Sequence, residues 1–371
     1  MSSARNDEIL ARLRPELSTL KAYAVPKDVP AIKLDANESP FELPADVRRE
    51  LGEVVAACSL NRYPDGSTGA LREALASHLG RGSSPLDAER ILLGVGSDEV
   101  ITMLMNALST PGSKGTPASV VFPSPTFVMY DVSARSHGLR PLPVPMDAQF
   151  HFDEAAFAAA LSREPVLAFY ATPNNPTGRP IDDAVLRRLI EAFPRTLHII
   201  DEAYGPFERG PDEQAKTRRM WADEYPNVAV MGTLSKVGLA GLRIGHLYAS
   251  AALIDELQKV RQPFNLNAPA QVIATHLLTR HAPLLESHVR GIVLERERMF
   301  NALSARDPIP SMANFHLVRM SAEVGRSLRA GGIGVRIFRD KALEGWARVT
   351  VGTRAENDAL LAALSGEPST A

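Results

Sequence analysis

Short apolar runs typical of buried strands alternate with helical patterns through the middle of this chain. The runs cover residues 91–93, 119–122, 166–170, 197–200, 228–231 and 244–248. Helical stretches over 98–108, 153–161 and 182–192 lie between them, each opened by an aspartate suited to an N-cap. Because a helix between two strands returns the chain to the same end of a sheet, this order predicts an α/β fold with a largely parallel sheet.

The last part of the chain has a different pattern. A long helical stretch over 282–303 precedes strand candidates at 314–319, 335–338 and 347–351, with one more helix at 322–330. This order predicts a small α+β domain with antiparallel strands. We therefore expect an N-terminal arm over 1–35, a large α/β domain over 36–281 and a small C-terminal domain over 282–371. The charge-rich segment 209–220 is predicted to be a solvated loop.

Composition and charge argue against several classes of function. The formal net charge of -2 lacks the basic excess typical of nucleic-acid binding, so no nucleic-acid partner is expected. No apolar run approaches the length of a membrane span, and the N-terminal residues lack the apolar core of an export signal. We therefore expect a cytoplasmic protein with no membrane partner. Cys58 is the only cysteine, which excludes an internal disulfide and a cysteine-based zinc site, and no metal is predicted.

Three polar side chains stand at or just beyond the ends of strand candidates, namely Asn175, Asp201 and Lys236. Ligands of open α/β sheets gather in the crevice outside the carboxyl ends of the strands, so three strands direct these side chains to one place. A lysine where an apolar strand gives way to a glycine-rich turn is costly to bury unless it has a charge partner, an exit to solvent or a covalent use. The pattern favours covalent chemistry at Lys236.

Several short motifs accompany Lys236 along the chain. They are Arg62-Tyr-Pro-Asp-Gly66, Gly94-Val-Gly-Ser-Asp-Glu99, Asn174-Asn-Pro-Thr-Gly178, Asp201-Glu-Ala-Tyr204 and Val349-Thr-Val-Gly-Thr-Arg354. Together they resemble the fold-type I aminotransferases, which use pyridoxal 5′-phosphate (PLP), over residues 20–365. Within that family the chain is most similar to the histidinol-phosphate aminotransferases. The resemblance implies an aspartate aminotransferase-like fold, with a mixed, mostly parallel sheet in the large domain and a small α+β domain.

The resemblance also implies roles in cofactor binding. Lys236 is expected to bind PLP covalently and to move the substrate Cα proton, while Asp201 pairs with the pyridine nitrogen. Tyr204 and Asn175 are expected to hydrogen-bond the phenolic oxygen of the cofactor. The expected phosphate site combines backbone N–H groups at a helix start with side-chain donors, from Ser97, Asp98, Glu99, Ser235 and Arg243.

Two aromatic residues complete the cofactor site that the resemblance implies. Phe127 matches the position whose ring stacks on the pyridine. Tyr63 resembles the tyrosine that reaches the phosphate held by the neighbouring subunit, which implies a homodimer with a shared active site. The spacing between Lys236 and Arg243 is one residue shorter than the commoner family pattern, so Arg243 is expected to approach the phosphate from a tighter turn.

The substrate side is expected to be rich in arginine. By resemblance, Arg348 meets the anionic group of the substrate and Arg339 its phosphate, because a guanidinium suits both groups. Arg336 is expected to be structural. Asn37 and Asn175 are expected to line the substrate mouth, and Tyr23 is the nearest match to a substrate-binding tyrosine. The implied reaction is amino transfer between L-histidinol phosphate and 2-oxoglutarate, giving imidazole-acetol phosphate and glutamate, in histidine biosynthesis.

Other functions remain open at this point. An aromatic or broad-range amino-acid aminotransferase, or a threonine-phosphate decarboxylase, would use nearly the same residues. An aminotransferase-like regulator would sense PLP through a separate DNA-binding domain, and the segment before Asn37 is too short for one. A nicotinamide-dependent oxidoreductase needs Gly-x-Gly-x-x-Gly, whereas Glu99 stands at the third glycine position.

Overall fold

The computed structural model describes residues 10–13, 29–80, 86–108 and 117–366. The strands in this part of the chain are β1 (Ile32–Leu34), β2 (Ile91–Val95), β3 (Ser119–Ser124), β4 (Arg140–Pro145), β5 (Leu167–Ala171), β6 (Leu197–Asp201), β7 (Val228–Thr233), β8 (Ile244–Tyr248), β9 (Phe315–Arg319), β10 (Ile333–Ile337) and β11 (Trp346–Thr350). They form two sheets, one of seven strands and one of four.

Twelve α-helices accompany these strands in the described ranges. They are α1 (Ala45–Ala56), α2 (Gly69–Leu79), α3 (Gly96–Ala107), α4 (Met129–Ser136), α5 (Glu154–Leu161), α6 (Asp183–Ala192), α7 (Trp221–Glu224), α8 (Ala251–Gln258), α9 (Ala268–Arg280), α10 (Ala282–Ala302), α11 (Ala322–Ala330) and α12 (Arg354–Leu364). In the segments that the structure describes, no helix combines the length and the apolar character needed to cross a membrane.

The seven-stranded sheet has the order β2-β8-β7-β6-β5-β3-β4. Strands β3 to β7 pair in parallel, and β8 runs antiparallel to both of its neighbours. The predicted α/β class with a mixed, mostly parallel sheet is therefore confirmed. Strands β6 and β7 lie side by side at the centre, so residues that follow their carboxyl ends emerge next to each other.

Both faces of this sheet are covered by helices, as successive residues of its strands show. In β5, Leu167 and Phe169 pack into a core that includes residues of α3, α4 and α8. The alternate residues Ala168 and Tyr170 pack on the other face, against α5 and α6. Because side chains alternate across a strand, a continuous apolar run such as β5 is stable only with apolar partners on both faces.

The four-stranded sheet has the order β1-β10-β11-β9. Strand β1 adds to β10 in parallel, while β10, β11 and β9 pair antiparallel. The long helix α10 connects this sheet to the large one: Leu285 and Ile292 pack in the core of the large domain, and Met299 packs in the core beneath the small sheet. The expected domain boundaries at residues 35 and 282 stay predictions.

The segment 209–220 is largely the exposed loop that its charge predicts, with residues 212–217 all exposed, but Arg209 and Arg218 within it are buried. Arg218 is almost fully buried, and its guanidinium binds both oxygens of Glu208 at 2.6 and 2.7 Å and Asp183 at 2.8 Å. Its backbone N–H donates to Glu202 at 2.7 Å. Charge content predicts solvation only when charges stay unpaired, and here carboxylates from three places in the chain compensate one arginine.

Candidate active site

Lys236 lies in a short irregular helical turn, Ser235–Leu239, just beyond the end of β7. The Thr233 hydroxyl shapes this turn: it accepts from the backbone N–H of Ser235 at 3.1 Å and donates to the Ile244 carbonyl at 3.0 Å. Gly238 has a φ of 107°, a conformation that side chains disfavour, which explains a glycine here. The Lys236 Nζ atom is 5.8 Å from the ring centroid of Tyr204, so the amine faces the end of β6.

Asp201 is the last residue of β6 and is almost fully buried. Its carboxylate accepts the Tyr130 hydroxyl at 2.5 Å and the backbone N–H of Ala203 at 2.9 Å. Burial raises the pKa of Asp201 to about 6, and these two hydrogen bonds and the charge of Asp98 modify it less. Among the described residues Asp201 has no salt-bridge partner, so the site lacks a cation beside this carboxylate.

Tyr130 is fully buried beside Asp201. Its ring stacks on Phe169 at 4.5 Å and meets Phe127 edge-on at 5.7 Å. Burial, together with the nearby Asp201 carboxylate, raises the pKa of Tyr130 well above its usual value, so its hydroxyl stays a donor. The sequence assigns no role to Tyr130, although it stands only three residues after Phe127.

Tyr204 connects the large sheet to the small one. Its hydroxyl accepts a hydrogen bond from the Asn37 side-chain amide at 2.8 Å. Asn37 is itself held by Thr350 of β11, whose hydroxyl donates to its side-chain oxygen at 3.1 Å, and by Asn314, which donates to its carbonyl at 3.1 Å. The backbone φ of Asn37 is 54°, a conformation that asparagine adopts more readily than most other residues. Asn37 therefore lies at the junction of the two sheets, beside Tyr204.

Arg348 and Asn175 also meet across the two sheets. The Arg348 guanidinium donates to the Asn175 side-chain oxygen at 2.6 Å and to the carbonyl of Asp35 at 2.8 Å. The Arg348 Cζ atom lies 5.4 Å from the ring centroid of Phe315. These contacts bring together two predicted site residues that stand far apart in the sequence, and they hold the guanidinium in a fixed orientation.

Arg336 is the register partner of Arg348 on the neighbouring antiparallel strand. Residues directly opposite in such a pair project from the same face of the sheet. Ala347, the next residue, packs into the apolar core on the other face. Arg336 therefore leaves the sheet on the side where Arg348 meets Asn175. The sequence favours a structural role for Arg336. It does not reveal the strand register that pairs Arg336 with Arg348.

The start of α3 lies beside Arg243, and together they offer hydrogen-bond donors suited to an anion. Gly96 has a φ of 73°, and a Cβ atom added to it would lie 2.6 Å from the Arg243 Nη2 atom. The Arg243 guanidinium pairs with Asp98 at 3.3 Å, and both side chains are about half exposed. Ser97 and Asp98 are in the first turn, where backbone N–H groups lack helical partners. Arg243 follows the short helical turn Ala240–Leu242 with a φ of 53°.

Two other residues of the expected phosphate site have clear positions. Ser235 is buried at the start of the lysine turn. The Glu99 carboxylate is engaged in other hydrogen bonds: it accepts the backbone N–H of Val95 at 2.5 Å and the Asn265 amide at 2.7 Å. With its carboxylate engaged in these bonds, only the backbone N–H of Glu99 could contact an anion.

Three predicted residues lie apart from these contacts. Tyr63 is 81% exposed and stacks on the partly exposed Phe264 at 4.7 Å. Arg339 is exposed in the connection that follows β10. Tyr23 lies outside the described residues.

Two groups of residues can now be defined. The cofactor floor comprises Lys236, Asp201, Tyr130 and Tyr204. For the proposals below, the name substrate mouth is given to Asn37, Asn175 and Arg348 near the junction of the two sheets, together with Arg336 on the same face of the small sheet. The hydrogen bond from Asn37 to Tyr204 joins the two groups.

Comparison with known proteins places this geometry in a family. The chain matches the model of aminotransferase class I and II over residues 29–364. It is 40% identical to the histidinol-phosphate aminotransferase of Methylibium petroleiphilum, over 96% of this chain and 95% of that protein. It is 38% identical to the histidinol-phosphate aminotransferase of Polaromonas naphthalenivorans, over 96% of each.

A solved structure shares the whole architecture. The histidinol-phosphate aminotransferase of Sinorhizobium meliloti, crystallised in complex with pyridoxal 5′-phosphate, superposes with a TM-score of 0.82. Its sequence is 25% identical, and the match covers 95% of this chain and 96% of that one.

Proposed function

Because the chain belongs to the class I and II aminotransferases, we propose that it transfers the amino group of L-histidinol phosphate to 2-oxoglutarate. The products are imidazole-acetol phosphate and glutamate, and the reaction is a step of histidine biosynthesis. The enzyme is a PLP-dependent aminotransferase. The names and full coverage of its relatives support the choice of substrate.

The residues of the cofactor floor fit PLP. The observation that carries this assignment is the buried Asp201 carboxylate, which has no cationic partner in the described part of the chain. A protonated pyridine nitrogen supplies that missing charge. The start of α3, with Ser97, and the Arg243 guanidinium supply donors for a phosphate. When bound, PLP supplies an electron sink for the electrons released at the substrate Cα.

Lys236 carries the covalent and proton-transfer chemistry in this proposal. Its amine holds the cofactor between turnovers and is released when a substrate amine replaces it. The released amine then removes the proton from the substrate Cα and returns it on the cofactor side. Tyr204 and the turn Ser235–Leu239 hold the amine near the end of β6. Asp201 keeps the pyridine nitrogen protonated, while Lys236 moves the proton of the substrate Cα.

The substrate mouth selects the amino donor by its anionic groups. Arg348 is oriented by Asn175 and Asp35, so a guanidinium is ready for bidentate binding. A phosphate dianion can accept several charge-assisted hydrogen bonds, so a second arginine beside Arg348 would strengthen its binding. Arg336 supports this role because it projects from the same face of the small sheet, while Arg339 is the second candidate.

We further propose that the enzyme works in the cytoplasm as a homodimer in which Tyr63 reaches the phosphate bound by the partner subunit. The exposed stack of Tyr63 on Phe264 supports a protein contact at this surface. Mixing Lys236→Ala with Tyr63→Ala subunits is expected to create one intact hybrid site and raise activity above the mean of the two parents. No gain after verified subunit exchange would assign Tyr63 to its own chain.

The substrate proposal is tested by the amine half-reaction of the PLP-loaded enzyme. Stopped-flow loss of the cofactor absorbance is recorded with histidinol phosphate, histidinol, phenylalanine and threonine phosphate. We expect histidinol phosphate to react fastest per unit concentration, and histidinol to lose at least ~10-fold, because it lacks the phosphate. Phenylalanine reacting as readily would assign the enzyme to the aromatic or broad-range aminotransferases. Release of carbon dioxide from threonine phosphate would assign a decarboxylase.

A further inference from the structure

Three metal-ligand side chains converge at a place outside the cofactor floor and the substrate mouth. Glu50 is on α1, His276 is on α9, and His281 is the residue between α9 and α10. The His276 Nε2 atom lies 2.7 Å from one Glu50 oxygen, and the His281 Nε2 atom lies 2.9 Å from the other. One ligand atom from each residue lies within 4.8 Å of the other two.

Separate backbone elements fix the positions of these side chains. Helices α1 and α9 pack against each other, which sets Glu50 beside His276. His281 is held by its backbone: its N–H donates to Leu277 at 2.9 Å at the end of α9, and its carbonyl accepts from Leu284 at 3.0 Å at the start of α10. The imidazoles are about one-fifth exposed and the carboxylate about two-fifths. The cluster is therefore accessible to solvent, while its three side chains stay in contact.

Both imidazoles present the same nitrogen to the same carboxylate. Hydrogen bonds from His281 and His276 hold the pKa of the Glu50 carboxyl below its usual value, so the carboxylate is ionised at neutral pH. Loss of the Nε2 protons would turn two donors into two lone pairs aimed at one spot. Two imidazoles and one carboxylate form a ligand set suited to Zn²⁺, Ni²⁺ or Co²⁺, whereas Mg²⁺ and Ca²⁺ prefer oxygen ligands.

We propose that Glu50, His276 and His281 form a binding site for a divalent transition-metal ion of the Zn²⁺ class. The ion replaces the two N–H···O hydrogen bonds, takes three protein ligands and keeps water in the open positions. Tetrahedral ligand atoms bound at about 2.0–2.1 Å lie about 3.3 Å apart, so the Glu50 oxygens, which are 2.7 and 2.9 Å from the Nε2 atoms, must move outward slightly to admit the ion. The bound ion joins α1 to the junction of α9 and α10.

The junction matters because α10 connects the two sheets. Leu285, one turn after His281, packs in the same core as Tyr204, and Met299 packs beneath the small sheet. Helix α1 follows the segment that carries Asn37. An ion at the cluster therefore fixes the starts of two segments that lead into the site, and it is expected to raise the thermal midpoint without entering the reaction.

The test uses the tag-free holoenzyme after treatment with EDTA and dialysis. Isothermal titration with ZnCl₂ is expected to show one ion per chain, and MgCl₂ is expected not to bind there. Glu50→Gln, His276→Gln and His281→Gln keep hydrogen-bonding groups, and each is expected to weaken Zn²⁺ binding at least ~10-fold. His151→Gln is the matched control, because His151 also pairs with a single carboxylate, that of Asp147, at 2.9 Å.

Thermal unfolding supplies the second readout. Zn²⁺ is expected to raise the midpoint of the wild type and of His151→Gln, and to leave the three cluster variants unchanged. The midpoints without metal show whether each variant is folded. No Zn²⁺ binding to the wild type would overturn the proposal. Equal binding by the cluster variants, or Mg²⁺ binding as tight as Zn²⁺ binding, would overturn it too.

Discussion

The cofactor floor and the substrate mouth are built in different ways. The floor comes mainly from the adjacent strands β6 and β7 and the short turns after them, and Asp201 and Tyr130 are almost fully buried. The mouth joins side chains from the small sheet, the segment after β1 and the loop after β5, and Arg348 is only partly buried. In the proposed function, the floor carries the chemistry that every amino donor needs, and the mouth carries the recognition of one donor.

The largest effect is expected from the floor residue Lys236. Lys236→Ala removes both the covalent attachment and the proton transfer, so turnover is expected to fall by at least about 10⁴-fold with either amino donor. Borohydride reduction of the wild type, followed by peptide mass analysis, is expected to find the cofactor on Lys236. Label on another lysine, or turnover near normal in Lys236→Ala, would remove Lys236 from the floor.

Asp201→Asn tests the charge of the floor. A neutral amide does not hold the pyridine nitrogen protonated, and loss of the charge-assisted bond alone costs about 1.5–3 kcal/mol. The weaker electron sink adds to that cost, so we expect a loss of ~100-fold or more in both half-reactions. Single-turnover kinetics measures it. Near-normal rates would mean that the acidic partner of the cofactor lies elsewhere.

The same carboxylate makes the apoenzyme less stable as pH rises. Its pKa is raised from 3.8 to about 6 by burial, so the folded chain holds a proton that the unfolded chain has lost between these values. We therefore expect the free energy of unfolding of the apoenzyme to fall by about 3 kcal/mol as pH rises from about 4 to about 6.

Urea unfolding of the cofactor-free protein measures this effect. Asp201→Asn is expected to be more stable than the wild type at pH 7, and the difference is expected to vanish near pH 4. The exposed Asp212→Asn is the control and is expected to show no such crossing. A stability difference between Asp201→Asn and the wild type that does not change with pH would show that burial does not raise the pKa of Asp201.

The smallest effect is expected in the mouth, and it separates two arginines. Arg336→Ala is expected to slow the histidinol-phosphate half-reaction by about 10–150-fold, corresponding to about 1.5–3 kcal/mol for lost charge-assisted bonds. Arg339→Ala is the matched variant, because it removes the same side chain three residues later. Arg336→Lys keeps the charge but loses the bidentate guanidinium, so it is expected to react faster than Arg336→Ala and slower than the wild type. A larger loss in Arg339→Ala would assign the phosphate to Arg339.

The sequence predicts the floor better than the mouth, for a physical reason. Asp201 and Lys236 follow apolar strands that lie next to each other in a parallel sheet, so strand ends alone bring them together. Tyr130 was missed because a buried aromatic residue reads as core. The side on which Arg336 leaves the sheet depends on its pairing with β11, which the sequence does not display, so its proposed role is visible only in the structure. The buried Arg218 was missed because its partners are distant in the chain.

The most direct test of this division compares both half-reactions in Asp201→Asn and Arg336→Ala under single-turnover conditions, with glutamate and with histidinol phosphate as donors. Asp201→Asn is expected to lower the two rates by similar factors, because the floor serves both donors. Arg336→Ala is expected to lower the histidinol-phosphate rate at least ~10-fold more than the glutamate rate. Equal losses for both donors in Arg336→Ala, or a loss in Asp201→Asn confined to one donor, would contradict this division.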